Sequence, residues 1–262
     1  MCHPDKKISF FNDSALNSSM SLERLRDYTS MLGIKEENPE RFGTFNLKDS
    51  GYVVIKKERI HLICDTGIIG PNYMPGHSHA DCLCFELSID NKRIFVNSGI
   101  SEYGSTQKRL LQRKTNAHNT ISIDGLDSSE VWGSFRVGRR AFPYGTEVRN
   151  NFISSSHNGF KRNFKNIIHS RQWSYEEDKN NLQIKDMIQG NFRKAEAYFY
   201  VHPEINVYQS SDESVELMYG EKLICYVEFK GGEINIQDSF WYPEFGKEPV
   251  SYTHLTLPTT PY

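Results

Sequence analysis

The sequence predicts an all-β protein with a short helical preface, and three observations carry that expectation. From about residue 43 short β-rich runs alternate with clusters of turn-forming residues. Helical spacing of apolar side chains is confined to one stretch, residues 21 to 33. No internal repeat or low-complexity linker divides the rest. Many strands joined by short turns imply antiparallel pairing in a sandwich or a barrel.

Taken in order, the elements rest on local chemistry. Ser21 can cap a helix with Glu23 in its first turn, Leu22, Leu25, Tyr28 and Leu32 recur at helical spacing, and Gly33 ends it. "GYVVIKKERIHLICDTG" (51–67) reads as two strands around a polar "KKE" hairpin turn. "LCFELSIDNKRIFVNSG" (83–99) places Leu83, Phe85, Leu87 and Ile89 on one face, and "IDNKRI" turns into the next strand. The stretches at 119–135, 163–190 and 194–210 continue in the same style, with "EEDKNN" between two runs. The last twelve residues, Ser251 to Tyr262, break with what precedes them, look like a foreign tail, and are expected to lie outside the fold. The expected organisation is therefore 1–42 as a preface, 43–250 as the β domain and 251–262 as a tail.

Composition narrows the function classes. A chain of 262 residues buries a core without staples. Thirty-one Lys and Arg against thirty-three Asp and Glu give a net charge of -2, so no global field draws the chain to nucleic acid, and an anionic partner must meet a local patch. Five irregularly spaced cysteines (Cys2, Cys64, Cys82, Cys84, Cys225) do not form a disulfide framework. No apolar run reaches the roughly 18 residues of a membrane span, and no apolar signal core stands at the start.

Chemistry concentrates in "GHSHADCLC" (76–84) and "TNAHNT" (115–120). His77 and His79 are two apart, so on extended backbone both point to one side, and one ring can bind a metal while the other faces a ligand. Histidines in a Pro-Gly-preceded loop can equally be exposed or hydrogen-bonded without function. His118, just ahead of a strand at Ile121 and Ile123, is the third candidate, and three imidazoles suit zinc. Cys82 and Cys84 offer a thiolate site, but their alternation with Leu83 and Phe85 suggests small buried residues on one sheet face. A cupin-type site wants a Glu about four or five residues after the second His, and Glu86 comes too late.

The blocks "HPDKKISFFNDSAL", "GPNYMPGHSHADCLCFELSIDNKRIFVNSGISEYG", "RLLQRKTNAHNTISIDGLDSSEVWGSFRVGRRA" and "YFYVHPE", in this order, resemble the heparinase II/III-like polysaccharide lyases, in particular a branch encoded beside bacterial surface-polysaccharide genes. The resemblance runs from residue 3 to about 205. It implies an (α/α) toroid followed by a large antiparallel β-sandwich, with this chain as the sandwich part and its opening helix as a remnant of the toroid's exit.

By the same resemblance His77 lies at the active cleft, while His79 and His118 hold zinc or another divalent metal, with no organic cofactor. The family's "D-x-G" reads "NSG" here, so Asn97 stands where a carboxylate ligand is expected, and metal binding is expected to be weaker, with Asp81 as a potential compensation. The implied reaction is β-elimination at a uronic acid of an acidic polysaccharide: the carboxylate is neutralised, a base takes the C5 proton and an acid protonates the leaving oxygen. Most proton-transfer groups would come from the toroid, the missing partner domain. This chain would add His77, Tyr103, and substrate contacts from Arg109, Arg113, Arg136, Arg139 and Arg140, with Glu130 and Trp132 able to bond and stack on a sugar. Each arginine could instead be an ordinary strand-face residue, and Trp132 a core residue. The resemblance also implies a periplasmic or envelope location. The alternative is a non-catalytic glycan-binding or structural sandwich in surface-polysaccharide assembly.

Overall fold

The computed structural model describes residues 1–35, 41–163, 166–247 and 250–259. The helix expected at the start is α1 (Leu22–Met31): the Ser21 hydroxyl accepts from the Arg24 N–H at 3.3 Å, and Gly33 follows the end at φ +69°. None of its residues is buried.

The first sheet is β1 (Gly43–Leu47), β2 (Tyr52–Lys56), β3 (Ile60–Asp65), β4 (Phe85–Ile89) and β5 (Lys92–Phe95), each paired antiparallel with the next. The "KKE" turn joins β2 to β3 as expected. Asp90 and Asn91, at φ +46° and +63°, make the two-residue turn between β4 and β5, a conformation these short polar side chains tolerate. A long loop, 66–84, connects β3 to β4. After β5 come α2 (Gln107–Arg113), β6 (Ile121–Ile123) and the ribbon β7 (Glu130–Trp132) and β8 (Arg136–Gly138). A second sheet orders β12 (Asn181–Gln189), β11 (Ile168–Glu176), β10 (Phe152–His157) and β9 (Pro143–Arg149). β13 (Ala195–Tyr200) pairs with β6, and β14 (Ile205–Ser211), β15 (Ser214–Tyr219) and β16 (Lys222–Glu228) form a meander. β17 (Asn235–Trp241) and β18 (Val250–Thr259) complete the order β17-β18-β13-β6. Among the described residues all pairings between named strands are antiparallel.

The backbone of β18, in the stretch expected to be a foreign tail, sits between β13 and β17 and pairs with both. Its Thr, Tyr and Leu content suits a strand. The remainder of that stretch, 260–262, lies outside the described residues.

A departure from expectation concerns 82–84. Cys82 and Leu83 form a turn, closed by the Cys84 N–H donating to the Asp81 carbonyl at 3.0 Å, and Leu83 takes φ +60°. The strand therefore starts at Phe85. Cys82 packs in the main apolar cluster and Cys84 in a smaller one with Phe11, Val54 and Ile63, so the two thiols do not share a sheet face. Burial raises both thiols well above the ordinary range, which makes them poor nucleophiles.

The main cluster draws Leu62, Phe85, Ile94, Ile123, Ile153, Trp173, Phe199 and Leu217 from several sheets into one apolar interior. Residues 1–18 do not stand apart from it but lie as a strap across the first sheet. Glu86 on β4 is the anchor: its carboxylate meets His3 Nε2 at 2.8 Å and accepts from the backbone N–H groups of Phe10 (3.1 Å) and Asn97 (2.8 Å). Arg93 on β5 donates to Asp5 at 2.8 Å and to the Ile8 carbonyl at 2.8 Å. The strap thereby delivers Asn12 and Asp13 to the loop that carries the two histidines.

Candidate functional site

The loop 76–84 is held from below by α2 and the segment after it. The Ala80 N–H donates to the Arg113 carbonyl at 2.9 Å, and the Ala80 carbonyl accepts from the hydroxyls of Thr115 (2.7 Å) and Ser128 (3.0 Å). Arg113 is fully buried and spends its guanidinium on the carbonyls of Ser78, Gly133, Ser134 and Arg136. Burial lowers its pKa to about 10, with the nearby Arg109 acting in the same direction. It fastens the loop to the β7–β8 ribbon and is not presented to a ligand.

His79 and His118 converge: Nδ1 of His79 stands 3.2 Å from Nε2 of His118, and both rings are buried. The proton positions follow from the outward nitrogens. Nε2 of His79 faces Oδ1 of Asp13 at 2.8 Å, an acceptor, so that nitrogen carries hydrogen. Nδ1 of His118 faces Oδ1 of Asn97 at 3.2 Å, and the Asn119 N–H, donating to the same atom at 3.3 Å, identifies it as the oxygen. Two neutral rings so arranged point lone pairs at one another. Burial, and then the neighbouring His79, lower the His118 pKa far below its ordinary value, so it is not the ring that takes up a proton. A proton on His79 Nδ1 or a metal ion between the rings resolves the conflict, and two nitrogens on a tetrahedral ion at ~2.0–2.1 Å would stand about 3.3 Å apart.

The third donor is Asp81. One of its oxygens lies within 4.8 Å of a ring nitrogen of each histidine, and neither oxygen has a side-chain hydrogen-bond partner although both are buried. Burial raises its pKa, with His79 and the backbone N–H groups of Asp81 itself and Asn12 opposing in part. A buried carboxylate without a side-chain partner beside two lone pairs is the donor set that zinc accepts. These residues fit a divalent ion, and the outward bonds to Asp13 and Asn97 are of the kind that orient metal-bound imidazoles. Asn97 therefore does not converge with the two histidines, as its place in the sequence suggested. It meets the far nitrogen of His118, and its Nδ2 points at Cys84 Sγ, 3.9 Å away.

Asp13 joins this buried centre to the surface. Oδ2 of Asp13 lies 2.9 Å from Nδ1 of His77, and both its oxygens accept from Arg109, Nη1 on Oδ1 and Nη2 on Oδ2, the latter at 2.6 Å. Burial would raise this carboxyl, but the hydrogen bonds from His79 and Arg109 outweigh it and hold it well below the usual carboxylate range. His77 lies in a turn rather than on extended backbone, and it and His79 reach the same carboxylate through different oxygens. Arg109 itself is buried and stacks over Tyr103 and Phe135, so it is a structural counter-ion for Asp13 and has no free face for substrate.

His77 stands at the surface with its side chain 58 % exposed, edge-on to Tyr103 (5.7 Å) and Phe135 (5.4 Å). Tyr103 is also exposed, and burial and the Asp13 charge raise its hydroxyl pKa. The other substrate candidates diverge. Arg136 is exposed. Arg139 pairs with Glu130 at 2.5 Å, and Arg140 caps the carbonyls of Ile69 and Gly70 and the Asn72 side chain. Trp132 is 44 % exposed and lines a hollow of about 350 Å³ with Asp127, Glu130 and Val131, so it is not a core residue.

Sequence reasoning missed Asp13 and named Asp81 only as a potential compensation for Asn97. The only signal for Asp13 was the block "FFNDSAL", whose acidic residue has no local pattern to explain it. A second buried chain was also missed: His157 Nε2 meets His169 Nδ1 at 3.0 Å, and His169 Nε2 meets Asp186 at 2.6 Å, with Arg171 bidentate on the same carboxylate.

The family model described as heparinase II/III-like, C-terminal, matches residues 39–261. The chain belongs to this family. Among solved structures, it is similar to heparinase III at a TM-score of 0.77 and 16 % identity, covering 99 % of this chain and 44 % of that one. A heparinase III gene product with methylated lysines gives 0.74 at 15 % identity, covering 99 % and 41 %. Heparan sulfate lyase HepC from Pedobacter heparinus gives 0.67 at 13 % identity, covering 99 % and 45 %. At these identities the likeness speaks for the fold, and the chain spans less than half the length of those proteins. No curated protein matches the sequence significantly. Among the described residues no helix is long and apolar enough to cross a membrane.

Proposed function

We propose that this chain is the C-terminal, β-sandwich part of a polysaccharide lyase that cleaves a uronic-acid-containing polysaccharide by β-elimination, working with an N-terminal (α/α) toroid in the cell envelope or periplasm. The observation that carries the reading is the linked pair of layers: a buried His79–His118–Asp81 set able to hold a divalent ion, joined through Asp13 to the exposed His77. An ion there would fix the loop and add positive potential beneath the cleft. Asp13 accepts from His77 Nδ1 and so leaves Nε2 free to accept a proton or to meet the substrate carboxylate. Tyr103 and Phe135 wall the ring, and Arg136 is the exposed cation for the acidic sugar.

Elimination leaves a C4–C5 double bond conjugated with the carboxylate, so turnover is read as ultraviolet absorbance. A full-length protein carrying this region should generate that signal on an acidic polysaccharide and lose it in His77→Ala, while this chain alone should show little. Strong turnover by the chain alone, or full activity in His77→Ala, would overturn the assignment.

A second reading, a non-catalytic glycan-binding module, is favoured by the fate of the arginines: Arg109 and Arg113 are committed to buried partners, Arg140 to loop carbonyls and Arg139 to a surface pair with Glu130. Glycan retention without any absorbance change from the full-length protein would select it.

A further inference from the structure

A second group of donors adjoins the histidine pair. Asp65, at the end of β3, and Cys84, just before β4, bring a carboxylate oxygen and Sγ within 4.8 Å of an oxygen of Asp81 and of each other, and all three residues are buried. Asp65 has one partner, the Gly67 N–H at 2.9 Å on Oδ1, and Asp81 has no side-chain partner on either oxygen. Among the described residues no Lys or Arg bonds to either carboxylate. The His79 ring beside Asp81 is already bonded to Asp13. Two adjacent buried carboxylates without a counter-charge are strongly unfavourable, and an isolated buried anion costs several kcal/mol. Asn97 Nδ2 points at Cys84 Sγ as a donor, which suits a sulfur acting as acceptor.

We propose that Asp65, Asp81 and Cys84 form a second divalent-cation site, with Asp81 bridging: one oxygen serves the His79–His118 ion and the other an ion held by Asp65 and Cys84. The bridging half of this proposal rests on the histidine-centre reading above; the Asp65–Cys84 half does not. The mixed carboxylate and thiolate set selects zinc or a metal of similar softness and excludes calcium and magnesium, which take oxygen ligands alone. Three anionic ligands nearly balance two dications, which removes the repulsion between Asp65 and Asp81. The Asn12–Asp13 strap covers both positions, since Asn12 reaches Tyr52 and the His79 N–H, so metal would enter as the strap docks.

The test is metal stoichiometry on the whole chain, equilibrated with zinc, freed of excess and counted by plasma mass spectrometry. Two zinc ions per chain are expected, one in Asp65→Asn and one in His118→Gln. Replacing zinc by cobalt should produce a thiolate-to-cobalt charge-transfer band in the near ultraviolet, absent in Cys84→Ser and retained in Cys82→Ser. The unmutated chain reports the thiolate by itself, so the proposal remains falsifiable where a variant does not fold. Cobalt bound without that band, or an Asp65→Asn stoichiometry equal to that of the unmutated chain, overturns the second site and leaves the histidine centre standing. Metal that survives His118→Gln but not Asp65→Asn overturns the histidine centre and keeps the second site.

Discussion

Asp13→Asn is the substitution that most directly probes how the strap is tied to the site. The carboxylate is almost wholly buried, and its partners are a fully buried Arg109, the buried His79 and the exposed His77. Neutralising it leaves a guanidinium inside the protein without a counter-charge, and breaking a buried pair in this way costs about 3–5 kcal/mol. A domain of this size has roughly 5–15 kcal/mol in total, so the loss is a large fraction of stability. At about 2–4 °C per kcal/mol, the midpoint should fall by about 6–20 °C. Urea unfolding followed by tryptophan fluorescence measures the change. The companion is Arg109→Met, alone and combined with Asp13→Asn. Because the double variant removes the orphaned charge, it should be less destabilised than the sum of the singles by about 2 kcal/mol or more. A loss under about 1 kcal/mol for Asp13→Asn, or strict additivity in the double variant, would refute the claim that this ion pair ties the end of the strap to the site. In zinc-loaded protein the same substitution should also weaken metal binding about 10–100-fold, since Asp13 orients His79.

Three further outcomes are expected. Asp81→Asn should abolish zinc binding at the histidine pair and raise the melting temperature of chelator-treated protein, because it removes a buried charge without a side-chain partner; a lower melting temperature would show that the carboxylate is stabilised where it lies. Arg113→Ala should destabilise the chain by about 2 kcal/mol or more through its orphaned carbonyls, while the exposed Arg136→Ala should leave stability within about 0.5 kcal/mol and weaken retention of acidic oligosaccharides, as affinity chromatography will show. Stability should fall on acidification below about pH 6.5, because burial depresses His157 and His169 and they fold neutral: the unfolded chain binds protons first, so their contribution is present above the ordinary histidine pKa and lost beneath it. Asp186, held below its ordinary value because Arg171 and His169 outweigh its burial, adds a second loss only under about pH 4. A flat melting temperature between pH 7 and 5 would contradict the neutral-histidine assignment.

What the sequence by itself determined is what local chemistry controls. Ser21 capping α1, the Asp90–Asn91 turn and the "KKE" hairpin each depend on a few adjacent residues, so their outcome was legible. His79 and His118 were also legible as partners, through a spacing and a family pattern rather than through any contact visible in one dimension. The turn at 82–84 was not, because strict alternation of Cys82, Leu83, Cys84 and Phe85 reads as strand, and only the positive φ of Leu83 breaks it. Nor were the arginines: Arg109 and Arg113, read as substrate contacts or strand-face residues, lie on and at the end of a helix the sequence pattern did not predict, and both point inward because Asp13 and the loop carbonyls wait there, 96 and up to 37 positions away in sequence. The tertiary structure alone decided which nitrogen of His118 Asn97 would meet, and left Asp81 without a side-chain donor. Propensity acts over a few residues, whereas the charge balance of a buried site is the sum over every segment folded around it, and here those segments are the strap, the loop, β3, and the turn before β6.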